Sequence, residues 1–184
     1  EKEREISLIL QKRLGIRAVG TLEGNHLNTT FGRIGGEQHL PRYLGDRIED
    51  HDELQVKGIT RGRGAFGYFA PGKNELTQDA ILKEKYYVAV QPLYLPNWKN
   101  RAKYLKDWYK WRKVIVVNAD NGKAIVAVIG DAGPAAWTGK QFGGSPEVMY
   151  ELGGKRYKKG RVLVYFVDDP ENKIPLGPVK YQVP

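Results

Sequence analysis

The run VIVVNADNGKAIVAVIGD, residues 114–131, decides how this chain is read. Two β-branched stretches flank Asn121-Gly122, a dipeptide that tolerates positive φ at both turn positions, so the segment predicts two strands joined by a tight hairpin. Working outward, YYVAV at 86–90 reads as a strand stopped by Pro92, and GRVLVYFVDD at 160–169 as a last core strand. Ser145-Pro146-Glu147 is a helix entrance: the serine can cap, proline suits the first helical position, and Gly153-Gly154 closes the helix. LTQDAILKEK at 76–85 predicts a helix or long turn entered through Thr77, and GAFGYFAPG at 64–72 a strand ending in a Pro-Gly turn. At 97–111, Trp98, Ala102, Leu105, Trp108 and Tyr109 recur at helical spacing. The chain opens with EKEREISLILQKRLG, whose Ile6, Ile9, Leu10 and Leu14 share a helical face and whose Gly15 is a natural stop. Many short strands with few helices predict a mainly β protein built on a small closed or partly closed barrel.

Length and composition bound that reading. At 184 residues and 20.8 kDa, one domain with a modest appendage is expected. Residues 16–59 are glycine-rich, polar and weakly periodic, so residues 1–60 are expected to be an irregular extension packed on a barrel formed by 61–184. No run of about 18 apolar residues is present, so no membrane span is expected. The chain begins at Glu1 with its single methionine at position 149, and no targeting segment is readable. The absence of cysteine excludes disulfides, zinc–thiolate sites and cysteine nucleophiles.

Charge is unevenly spread. The net charge is +9, yet residues 1–92 carry 14 basic against 13 acidic residues, whereas residues 93–184 carry 16 against 8. One patch comprises Lys99, Arg101, Lys103, Lys106, Lys110, Arg112 and Lys113, opposed only by Asp107; a second comprises Lys155, Arg156, Lys158, Lys159 and Arg161. Such patches attract polyanions, whether nucleic acid, anionic lipid or envelope polymer, and a solvated basic face is the plain alternative. Trp98, Trp108 and Trp111 lie among the basic residues of the first patch, a mixture that suits stacked bases or an anionic glycan. Their helical spacing favours packing on the barrel instead, and no RNA-binding signature accompanies them.

His26, His39 and His51 fall beside Asp46, Glu49, Asp50, Asp52 and Glu53. Their spacing matches no ligand motif, so surface histidines are expected and neither a metal nor a cofactor is.

The order of elements from Lys113 to Asp168 resembles the double-psi β-barrel of the rare lipoprotein A group: strand, Asn-Gly hairpin, strand ending in Asp-x-Gly-Pro, short loop, Ser-Pro helix entrance, helix ending in Leu-Gly, and final valine-rich strand. GRGAFGYFAPG looks like that family's entrance strand and YYVAVQP like the strand before the hairpin, so the resemblance covers about residues 61–184. It implies a six-stranded double-psi barrel, an extracellular, periplasmic or cell-surface location, and an anionic or neutral envelope polysaccharide such as peptidoglycan as partner. Relatives of that barrel include lytic transglycosylases, expansins and glycoside hydrolases. The aspartate that precedes the helix entrance in the catalytic relatives falls on Gly143, so the expected general acid is missing. Asp131 remains, either as the acid of a lytic transglycosylase-like reaction or as a carboxylate capping its own turn, whose N–H bonds would lower its pKa. Candidate ligand-binding residues are Trp137, Tyr68, Phe69, Lys140, Ser145 and Glu147, the last read as a charge at a helix N-terminus in preference to an acid.

Overall fold

A computed structural model describes residues 1–51 and 54–181. Asp52 and Glu53, named above beside the histidines, lie outside the described residues. Among the latter, the α-helices are α1 (Lys2–Leu14), α2 (Gln78–Lys85), α3 (Trp98–Tyr109) and α4 (Pro146–Gly153). The strands are β1 (Ala18–Val19), β2 (Thr21–Leu22), β3 (Asn25–His26), β4 (Phe31–Gly36), β5 (Tyr87–Val90), β6 (Lys113–Asn118), β7 (Ala124–Ala132), β8 (Phe142–Gly144), β9 (Lys159–Val167) and β10 (Gly177–Val179). No helix among the described residues is long and apolar enough to cross a membrane.

The pairings β4–β8–β5–β7–β6–β9 return to β4 and close a six-stranded barrel. β4·β8 and β5·β7 are parallel and the other four contacts antiparallel, the mixed closed barrel expected of a double-psi fold. β1 and β10 extend it by pairing with β9 and β7. Ile34, Val88, Ile129, Phe142, Val164 and Phe166 fill the interior, each at most 2% exposed. On the outside, α1 packs Leu10 and Leu14 against Ile115, Val126 and Tyr165. The left-handed Gly15 ends that helix at φ 69°, and His26 Nε2 meets the Glu3 carboxylate at 2.9 Å. Thr77 accepts the Ala80 N–H at the start of α2, as the sequence predicts.

Three expectations are corrected. The barrel does not begin at residue 61, because β4, inside the supposed extension, is one of its six strands. FGRIGG has no β-like alternation and is held by its partners β8 and β9 rather than by propensity. GAFGYFAPG, conversely, forms no strand and makes only an isolated bridge between Gly64 and Gly67. Its aromatic character serves packing, with Phe66 in the core and Phe69 against Trp111 at 4.4 Å between ring centroids. The third concerns the β6–β7 turn, which is wider than a two-residue hairpin. Asn118 N–H donates to Lys123 O and Gly122 N–H to Asn118 O, each at 2.8 Å, and of Asn121 and Gly122 only the glycine has positive φ.

Candidate functional site

Four adjacent strands bring Gly35 (β4), Gly143 (β8), Ala89 (β5) and Asp131 (β7) into one row of register partners. A bulge between Val88 and Ala89 skips Gly130 and brings Asp131 into the row. The neighbouring partners Ile34 and Phe142 point into the core, so the row faces outward. With two glycines and an alanine as floor, long side chains from neighbouring segments can lie across it. A Cβ at Gly35 would stand 2.7 Å from Lys140 Nζ, and one at Gly143 would collide with Glu37 Oε1 and stand 2.7 Å from Glu37 Cγ. The outer face thus carries, in order, the Lys140 ammonium, the Glu37 carboxyl and the Asp131 carboxyl. The carboxyl of Glu37 fills the space that an acid at position 143 would take.

Glu37 is held by its backbone N–H to Gly144 O at 2.8 Å. Burial raises its pKa, nearby Asp131 raises it further, and Lys140 opposes both. Asp131 Oδ1 accepts the Ala65 and Ala132 N–H groups at 2.8 and 2.9 Å, so the turn-capping role expected from the sequence exists. Its expected electrostatic consequence does not, because burial outweighs both hydrogen bonds and the pKa is raised. Two neighbouring carboxyls whose pKa values are both raised are an arrangement from which a proton donor can be drawn.

A raised folded-state pKa means that folding takes up a proton on Glu37 between its ordinary value and the raised one, so its contribution becomes unfavourable as pH climbs through that window. Glu37→Gln is therefore expected to be more stable than wild type at pH 7, with the gain vanishing below the ordinary glutamate pKa. Urea denaturation at pH 4 and pH 7 checks it.

Lys140 lines two cavities. One, of about 530 Å³, is also bordered by Glu37, Lys57, Lys155, Lys158, Tyr150 and Tyr157. The other, of about 540 Å³, is bordered by Arg33, Asp120, Lys159 and Arg161. Lys155, Lys158, Lys159 and Arg161 of the second basic patch therefore border the two cavities that Lys140 joins. The first patch lies on α3 and its C-cap, where Lys99, Arg101, Lys103, Lys106 and Lys110 are exposed. Two of its members are committed elsewhere. Arg112 covers the Trp108 ring at 4.0 Å and lies 3.4 Å from Glu23, and Lys113 binds Asp169 at 2.9 Å and Asn172 at 2.6 Å.

The remaining candidates are scattered. Trp137 is 88% exposed, and neither it nor Asp131 lines either of the two cavities beside Lys140. Tyr68 is half-buried, with Arg63 6.0 Å from its ring centre, and Phe69 belongs to packing around Leu40 and Tyr87. Ser145 is fully buried, its hydroxyl accepting from Val148 N–H and donating to Lys85 O at 2.6 Å, which leaves it out of reach of a ligand. Glu147, in the first turn of α4, is buried with Oε2 unpartnered among the described residues, and burial raises its pKa. The surface placement expected for the histidines fails for His39 and His51, which are buried, whereas His26 is half-buried.

No protein-family model matches the sequence, and no curated protein does. Among solved structures the chain is similar to the crystal structure of cerato-platanin 3 from M. perniciosa, at 15% identity and a TM-score of 0.42 over 78% of this chain and 99% of that one. A likeness at that level carries no argument, and the barrel rests on its own strand pairings.

Proposed function

We propose that the protein is a binding or remodelling module for a bacterial envelope polysaccharide of the peptidoglycan type, in line with the group its sequence resembles. The observation that carries this reading is the shared position of Lys140. It stands between two cavities edged by Lys57, Lys155, Lys158, Arg33, Lys159 and Arg161, beside a carboxyl pair on a floor of small residues. Cations along a cleft attract an anionic polymer, while Tyr150 and Tyr157 offer rings for the apolar faces of sugars. Retention on isolated sacculi is expected to fall steeply as salt rises through the physiological range, and to fall several-fold in Lys140→Ala combined with Lys158→Ala. Pull-down against a salt series measures both, and equally tight retention on single-stranded DNA would move the reading to nucleic acid.

One observation favours a second reading, weak lytic cleavage. Glu37 supplies a carboxyl where the resemblance places the missing acid, and its raised pKa suits a donor. Protonated Glu37 would give its proton to the departing glycosidic oxygen while a hydroxyl of the same sugar attacks the anomeric carbon and returns a proton to the carboxylate. This moves the proposed acid from Asp131 to Glu37, leaving Asp131 to raise the pKa of Glu37 through its charge. Mass spectrometry of sacculi digests should find anhydro-muropeptides with wild type and none with Glu37→Gln. Equal product from both would remove Glu37 from the chemistry, and no product from either would leave the protein a binder.

A further inference from the structure

A second cluster lies behind the groove, where the segment between β4 and α2 folds onto α2. His39, His51 and Glu84 are each at most 6% exposed, and one ligand atom from each falls within 4.8 Å of the others. The protonation of the two rings follows from their outer partners. His39 Nε2 faces Leu54 O at 3.3 Å, and a carbonyl can only accept, so that nitrogen carries the hydrogen. His51 Nε2 faces Asp46 Oδ2 at 2.7 Å, and Asp46 already accepts from Arg42 N at 2.9 Å and Nε at 3.0 Å, so it is an ionised acceptor and this nitrogen is a donor too. In neutral imidazole the lone pair is then on Nδ1. Both Nδ1 atoms face the Glu84 carboxylate, each 3.2 Å from one of its oxygens. Glu84 Oε2 is further oriented by Leu40 N–H at 3.1 Å.

Two lone pairs turned toward a carboxylate repel it unless a cation lies between them. The surroundings favour one. Arg42 offsets Asp46, and the Glu147 carboxyl lies 3.7 Å from His39 Nε2. His51 Nδ1 and His39 Nδ1 lie 3.2 and 3.4 Å from the same Glu84 oxygen, Oε1, close to the ~3.3 Å that two metal–ligand bonds of about 2.0–2.1 Å span at a tetrahedral angle. Carbonyl and Arg-held carboxylate acceptors behind the rings are what metal-bound histidines use to fix their tautomer.

We propose that His39 Nδ1, His51 Nδ1 and the Glu84 carboxylate bind one divalent first-row metal ion of zinc-like preference, a site that clasps residues 39–51 onto α2. It is independent of what the groove binds. Its rival is a pair of imidazolium rings around Glu84, their centroids 4.8 Å apart, which would take up no metal.

The test uses the full chain, stripped with chelator and titrated with zinc chloride. One equivalent is expected to bind by calorimetry and to remain after gel filtration by elemental analysis, with Tm rising on zinc addition and falling again with excess chelator. Cobalt(II) substitution is expected to give the intense visible bands of a low-coordinate site with nitrogen ligands. Glu84→Gln is nearly isosteric and is expected to lose about tenfold or more in zinc affinity, whereas His26→Gln, away from the cluster, is expected to lose none. Wild type that takes up no stoichiometric zinc, with Tm indifferent to zinc and chelator, overturns the proposal. Uptake lost equally in His26→Gln assigns the metal elsewhere and overturns it too.

Discussion

Phe166→Ala is expected to cost about 3–5 kcal/mol of unfolding free energy, the range for truncating a large aromatic in a packed core. Phe166 is fully buried on β9, and its backbone registers with Val114 of β6 and Val19 of β1. Its ring meets Trp108 edge-on at 5.2 Å and lies 6.2 Å from Tyr109, so it also fastens α3 to the barrel. The void would face those aromatics, which are tied in place: Tyr109 donates to His26 O at 2.5 Å, and Arg112 covers Trp108. Little collapse can relieve the loss. Urea unfolding followed by tryptophan fluorescence measures it, and Trp137→Ala, at the exposed loop, should change stability by no more than about 0.5 kcal/mol.

The second large effect is at the site. Gly143→Asp would put back the acid that the family resemblance expects at this position, yet the variant is expected to be destabilised by about 1–3 kcal/mol and to gain no activity. Its Cβ would collide with Glu37 Oε1, with Cγ and Cδ of the same side chain at 2.7 and 2.8 Å. Glu37 would have to swing away, and the new carboxylate would take its place near Asp131. A carboxyl pressed against another has a raised pKa, so its destabilising contribution is present above the ordinary aspartate range and is relieved as pH falls. Chemical denaturation at pH 4 and pH 7 should show the deficit shrinking in acid, and a sacculus assay should show no product beyond wild type. Stability equal to wild type at pH 7 would mean that Glu37 does not occupy this space.

These outcomes mark what could be read from the chain alone. β6, β7, β9 and the caps at Thr77 and Ser145 were legible because β-branched runs and capping residues act locally. β4 was not, since FGRIGGEQ carries no periodic signal and becomes a strand only when β8 and β9 offer their backbones. The aromatic run at 64–72 misled for the converse reason: its rings pack without strand pairing. At the site, Asp131 could be found from its Asp-x-Gly-Pro context. Glu37 could not, because only the parallel pairing of β4 with β8 sets it over Gly143. His39, His51 and Glu84 likewise follow no ligand spacing and are neighbours only after the segment before α2 folds back.

The closure of the ring by β4 and β9 bears on how the molecule comes into being. Phe31 pairs with Leu163 and Gly35 with Lys159, so the seam joins two strands widely separated in sequence. During synthesis the β6–β7 hairpin can form as it emerges, but β4 must wait, unpaired on one edge, until residues 159–167 leave the ribosome. Such long-range closure is slow. Its glycines and arginine make β4 a poor template for wrong partners during that wait, so the features that hid the strand from a reader of the sequence also guard the nascent chain against aggregation.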